Sequence, residues 1–313
     1  MSNRFRFLML GAMYENGGNT THRFLDGHPQ MYVYPYESQI GTRMVNDHMS
    51  SLFPVKYRWP VFALDATPEQ DYHAIIDEEG KIRSKTPHVS KFRHMPFELT
   101  DKDRCAAYCA HIKQTGRSRA NNVAAFFKAT FDAWKDYKKT GQQEVYVGYS
   151  PIIGVDADKI LTDCPDAHVL HVIRNPWSAY ADTKKRPMPL ALADYMLGWT
   201  LNQHYALLWR DKFPGRMHVV RAEDVMADSV RALTPLCDAL KVERADTLKK
   251  PTWNGEPLKE VYPWGTIRTP TPSANRATAA ELTAAEQAEI RARTWQYLET
   301  FDYKGFLTTA AAA

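Results

Sequence analysis

The stretch FRFLMLGAMYENGGNTTHRFLDGHP, residues 5–29, decides the fold. It opens with a short apolar run, 5–10, that stops at Gly11, as a central parallel strand does. A loop with Gly17 and Gly18 follows, and Asn19 and Thr20 supply N-cap chemistry for a helix reaching about Gly27. Glycines let backbone N–H groups turn inward. A helix start adds unpaired N–H groups and the positive end of its dipole, so strand, loop and helix together can cradle a phosphate or sulfonate. Thr20 and Thr21 offer hydroxyl donors beside them. The same residues also suit an ordinary strand-to-helix turn that needed glycine. The loop is no Walker A motif, because Gly-Lys-Ser/Thr is missing from it.

Outward from this stretch, strands and helices alternate. Residues 31–34 read as a second strand, and helices are predicted near 42–52, 68–78 and 101–113. Between Phe53 and Pro96 the prolines predict irregular chain. Residues 119–139 form an amphipathic helix, with Val123, Phe127, Thr130, Phe131 and Trp134 on one face. Strands are predicted at 144–149, 168–173 and 217–221, and helices at 156–162, 190–212, 229–240 and 284–300. Such alternation predicts an α/β, P-loop-like three-layer sandwich: a mainly parallel sheet with helices on both faces. One domain over 1–306 is expected, with an irregular, helical insertion at about 53–118 and a frayed tail at 307–313.

Composition narrows the function. Of 313 residues 44% are hydrophobic, enough for a full core, and the net charge of +4 is spread along the chain apart from Lys184 to Arg186. That spread argues against a nucleic-acid partner, which calls for a denser basic stripe. Cys105, Cys109, Cys164 and Cys237 lack zinc spacing and read as reduced thiols of a cytoplasmic protein. The apolar run at the start is too short for a signal segment, and no stretch approaches the length of a membrane span.

Two further segments carry chemistry. In HVLHVIRNPWSAYAD, 168–182, a buried strand delivers Arg174 to the carboxyl end of the sheet, with Pro176 in the first turn of the next helix. Arg174 can fork onto a phosphate or pair with a nearby carboxylate. In the segment from Phe213 to Val242 a strand ends at Arg221-Ala222-Glu223-Asp224, and the two carboxylates read as helix capping and an ion pair.

In this order the segments resemble the PAPS-dependent sulfotransferase family, particularly its bacterial carbohydrate-type members. Gly18-Asn19-Thr20-Thr21 and His28-Pro29 match the family's first loop and helix; Arg174-Asn175-Pro176, Arg221 to Val225 and the closing helix before Phe301-Asp302-Tyr303 match its later elements. The resemblance implies a sulfonate donor, 3′-phosphoadenosine 5′-phosphosulfate (PAPS), the product adenosine 3′,5′-bisphosphate, no metal, and a small-molecule or glycan hydroxyl acceptor. It implies donor contacts from Gly17, Gly18, Asn19, Thr20, Thr21 and Arg174. The chain departs from the family in two places. Gly17 stands where the family has a cation before its Ser-Gly-Thr-Thr. Asp182, with Thr183 beside it, stands at the donor-binding position where a serine contacts the 3′-phosphate: either Thr183 substitutes, or Asp182 points away, or the donor differs from PAPS. Glu37, just after the second strand, is the expected general base, with a pairing to Arg43 as the competing reading. His22 is the second candidate base, and Arg23 or His22 the expected aid to the leaving group. Tyr57, Trp59, Phe62 and Tyr72 can stack on a sugar ring or simply pack. The competing functions are a catalytically degenerate nucleotide- or glycan-binding member of the same fold, and a P-loop-like nucleotide kinase.

Overall fold

A computed structural model describes residues 5–258 and 271–307. Residues 308–313, most of the expected tail, lie outside the described residues. The chain runs β1 (Arg6–Ala12), α1 (Gly18–Leu25), β2 (Met31–Val33), α2 (Pro68–Ala74), α3 (Glu78–Lys85), α4 (Asp101–Thr115), α5 (Arg119–Ala133), β3 (Val145–Pro151), α6 (Ala157–Asp163), β4 (Ala167–Ile173), α7 (Pro176–Thr183), α8 (Leu192–Lys212), β5 (Met217–Arg221), α9 (Ala222–Ala227) and α10 (Ser229–Leu240). A two-strand ribbon of β6 (Thr252–Trp253) and β7 (Glu256–Pro257), then α11 (Pro272–Ala280) and α12 (Ala284–Thr300), follow.

Strands β1 to β5 form one parallel sheet in the order β2-β3-β1-β4-β5. Alternation along β1 shows how the layers are made. Phe7 and Met9 face a core with Phe127 of α5, Ile160 of α6 and Ala206 of α8, whereas Leu8, Leu10 and Ala12 face Leu25 of α1 and Leu236 of α10. Helices thus cover both faces, as the alternation of the sequence predicts. A third cluster, with Met13, Ile173, Trp177, Trp199 and Leu298, closes the space beyond the carboxyl ends of β1 and β4. Within β4, His171 is fully buried against Gln203 at 2.8 Å, and burial drives its pKa down to about 4.

The insertion differs from expectation in one respect. Residues 42–52 make turns, not a helix. The Asp47 carboxylate accepts the N–H of Met49 at 3.0 Å, which competes with helical bonding. The same carboxylate takes Arg58 at 2.9 Å, and Arg58 also pairs with the buried Asp156, so this segment is tied down to the sheet side of the molecule. Further on, Pro68 opens α2 behind a Thr67–Gln70 capping box, whereas Pro60 and Pro96 lie in irregular chain.

Candidate functional site

The strand order fixes where a ligand belongs. The connection leaving β1 runs towards β2, and the one leaving β4 runs towards β5, so the chain diverges between two adjacent strands. In an open parallel sheet the ligand crevice lies outside the carboxyl ends at such a point.

The loop Met13–Gly17 fills one side of that crevice. Gly17 holds φ 80° and serves as the N-cap of α1; a β-carbon there would stand 2.8 Å from the Cβ of Ala222. Helix α1 therefore starts at Gly18, ahead of the predicted Asn19–Thr20 cap. The N–H groups of Gly18, Asn19 and Thr20 precede the first helical bond, from Thr21 N to Gly17 O. Gly17 and Asn19 are partly exposed, so this end of the helix is open to a ligand. The Thr21 hydroxyl is turned inward and donates to Gly17 O at 3.1 Å, so the donor that the sequence offers there is used within the helix. Thr20 is nearly buried beside it.

Asn16 carries a role that sequence reading missed. Its side-chain carbonyl accepts the N–H of Arg174 at 3.0 Å and of Trp199 Nε1 at 3.2 Å; its amide donates to Tyr195 Oη at 3.0 Å. An asparagine in a glycine-rich loop carries ordinary turn chemistry, and only the tertiary partners reveal the clasp.

Arg174 stands on the other side of the crevice, 7% exposed. Its Nε donates to Asn275 of α11 at 2.6 Å, and its Nη1 to Glu15 O at 2.9 Å and to Asp182 at 2.7 Å. Asp182 therefore points at Arg174, and its other oxygen accepts from Lys185 at 3.1 Å. Thr183 turns its hydroxyl back to Ala179 O at 3.0 Å and is fully buried. Glu223 is a hydrogen-bond hub: one oxygen accepts from the backbone and side-chain nitrogens of Asn175 and from Asn275, the other from Tyr303 Oη at 2.8 Å. The ion pair expected of this carboxylate couple belongs to Asp224, which meets Arg221 at 2.9 Å.

At the mouth of the crevice, Glu37 accepts the Tyr57 hydroxyl at 3.0 Å, while Arg43 is exposed and outside this contact. Burial, and then the Glu37 charge, raise the Tyr57 pKa. Tyr14 packs edge-on against Tyr57, ring centres 6.1 Å apart, and burial with the Glu37 charge pushes its hydroxyl up to about 12 despite Arg186. Glu15, in the left-handed region at φ 59°, has its pKa raised chiefly by burial and also by Asp182 and Glu37, against Arg186 and Arg174. Of the aromatics of the insertion, Trp59, Phe62 and Tyr72 are buried in the core; Tyr57 alone of the four is half-buried beside Glu37.

His22 and Arg23 lie deeper. Both are fully buried; Arg23 donates to His22 Nδ1 at 2.7 Å and to Pro35 O at 3.2 Å, and its guanidinium lies 5.1 Å from the Trp253 ring. Burial, then the neighbouring Arg23 charge, hold the His22 pKa well below its usual range. A depression of about 680 Å³ lies elsewhere, along β5 between Arg210, His218 and Pro235. None of the sequence-predicted site residues borders it.

Comparison with known proteins agrees with this architecture. A family model described as "Sulfotransferase family" matches residues 17–246. A search of curated proteins finds no match. Among solved structures, the sulfotransferase domain of the Synechococcus PCC 7002 olefin synthase is similar at TM-score 0.56 and 18% identity, covering 96% of each chain. Sulfotransferase STF9 from Mycobacterium avium follows at TM-score 0.47 and 14% identity, covering 97% of this chain and 78% of its own. With the family model spanning Gly17, α1, Arg174 and Glu223, the chain belongs to the sulfotransferase family and has its P-loop-like α/β fold.

Proposed function

We propose that this chain transfers a sulfonate group from a nucleotide 5′-phosphosulfate, PAPS by family resemblance, to a hydroxyl of a small molecule or glycan. The observation that carries this reading is the start of α1: Gly17 and Asn19 are partly exposed there, and the loop leading into it is tied to Arg174 through Asn16. Sulfonate transfer asks for in-line positioning, a neutralised leaving group and a base for the acceptor. Loop N–H groups with Thr20 would serve the bridging oxygen of the donor. Arg23 supports that end as fixed positive charge beneath the loop, and His22 holds Arg23 in place through Nδ1.

Glu37 is the base in this reading. It is half-buried at the crevice mouth, oriented by Tyr57, with Tyr14 forming the adjacent wall. The pair of tyrosine rings supports a flat or cyclic acceptor. Among the described residues no helix is long and apolar enough to cross a membrane, and the unpaired cysteines support a cytoplasmic setting.

The test is calorimetric titration with AMP and with adenosine 3′,5′-bisphosphate, each in the presence of a chelator. Binding of either product nucleotide without magnesium supports the proposal. A requirement for magnesium and ATP would overturn it in favour of a kinase, and no nucleotide binding at all would leave a degenerate member of the fold.

A further inference from the structure

Arg174 is the strongest cation facing the crevice, yet its charge is already matched. The Asp182 carboxylate, 3% exposed, lies 2.7 Å from Nη1 and holds Lys185 at 3.1 Å with its second oxygen. Lys185 also reaches Glu281 at 3.0 Å, and Arg186 stands 3.9 Å from Glu15. Three cations, Arg174, Lys185 and Arg186, thus face three carboxylates, Asp182, Glu281 and Glu15. Among the described residues, a dianionic phosphate arriving at Arg174 finds that charge already paired and meets Asp182 as a like charge. Thr183 cannot replace the lost donor, because its hydroxyl is bound to Ala179 O.

Nucleotide-binding sheets use two different groups beside the ribose. A carboxylate there accepts hydrogen bonds from a free sugar hydroxyl, and an arginine accommodates a sugar phosphate. Here the arginine is neutralised by the carboxylate itself. Lys185, with its side chain 41% exposed, is the cover that a sugar hydroxyl would exchange with at Asp182.

We infer that Asp182 sets the donor: a nucleoside 5′-phosphosulfate with free ribose 2′- and 3′-hydroxyls, not one bearing a 3′-phosphate. This rests on the sulfonate-transfer reading above and refines its donor. The chemistry balances without a redox partner. The acceptor oxygen bonds to sulfur as the bond from sulfur to the bridging phosphate oxygen breaks. The electron pair leaves with the nucleoside 5′-monophosphate, and the acceptor proton passes to the Glu37 carboxylate.

The wild-type chain decides the matter by itself. Calorimetry is expected to show AMP binding as tightly as adenosine 3′,5′-bisphosphate or more tightly. A bisphosphate preference of about tenfold or more, the worth of one charge-assisted contact, overturns the inference and leaves the sulfotransferase reading standing. Binding of neither nucleotide overturns both. Asp182→Ser removes both the competing carboxylate and the ribose acceptor, so the ratio of bisphosphate to AMP affinity is expected to rise about tenfold or more. Equal response of the two ligands overturns the assignment. Should Asp182→Ser fail to fold, Asp182→Asn keeps the side-chain shape and is held to the same ratio.

Discussion

The side-chain carbonyl of Asn16 accepts the backbone N–H of Arg174 at 3.0 Å, so the loop after β1 and the end of β4 are held as one rigid edge of the crevice. Asn16→Ala leaves the buried Arg174 N without its acceptor and leaves Trp199 Nε1 with Arg174 O alone, at 3.2 Å. Unfolding in urea should show a loss of about 2–3 kcal/mol. Asn16→Asp keeps an acceptor and should lose less.

Arg174 and Asp182 should couple strongly in a double-mutant cycle. Asp182→Ala strands the buried Arg174 charge and is expected to cost about 3–5 kcal/mol, whereas Arg174→Ala leaves Asp182 with Lys185 and should cost less. The double variant should cost clearly less than the sum of the two, measured by urea unfolding at neutral pH. Additive costs would mean that the pair at 2.7 Å contributes no specific interaction.

Gly18→Ala should disturb the anion site from behind. A β-carbon at Gly18 would stand 2.5 Å from the Tyr149 ring and 2.8 Å from Ala12 Cβ. The helix start must then move away from the sheet, with a stability cost of about 1–3 kcal/mol. Nucleotide affinity should fall with it, whereas an alanine at Gly215, where no atom lies within 4 Å of the added carbon, should not touch nucleotide binding.

Glu37→Gln should separate chemistry from binding. The amide can still accept the Tyr57 hydroxyl but cannot take a proton. Turnover is expected to fall by about 100-fold or more, with product-nucleotide affinity nearly unchanged. Survival of turnover would move the role of base elsewhere, with His22→Asn as the next variant.

His171 predicts an acid-side weakness. Its folded pKa of about 4 lies below the ordinary value of 6.5, so the unfolded chain binds the extra proton first. The stability it contributes is complete above pH 6.5 and is lost as the pH falls towards 4, by about 3 kcal/mol in all. Urea midpoints measured across that interval should fall in the wild type and fall less in His171→Gln.

The sheet and its helices were legible because they are local. Apolar runs such as 168–173 and the spacing of Val123, Phe127 and Phe131 announce their elements directly. The turns at 42–52 were not, since they depend on Asp47 being claimed by Met49 and Arg58. The site was legible by position but not by partnership. Arg174 and the Gly17–Gly18 loop lie where the motifs put them. That Asp182 turns to Arg174, or that Glu223 accepts from Asn175, Asn275 and Tyr303 together, is decided by segments distant in sequence. A single sequence carries no signal for such a meeting.

The Glu223 hub has a consequence for how the protein is made. It unites the end of β4, the start of α9, helix α11 and Tyr303. A chain emerging from the ribosome lays down β1 and its loop first, and domains form in that order as they appear. Yet the Arg174 side of the crevice cannot acquire its partners until Asn275 and Tyr303 have been synthesised. The β1 loop is therefore complete in sequence long before the Arg174 side of the crevice, which waits for α11 and Tyr303 to be made.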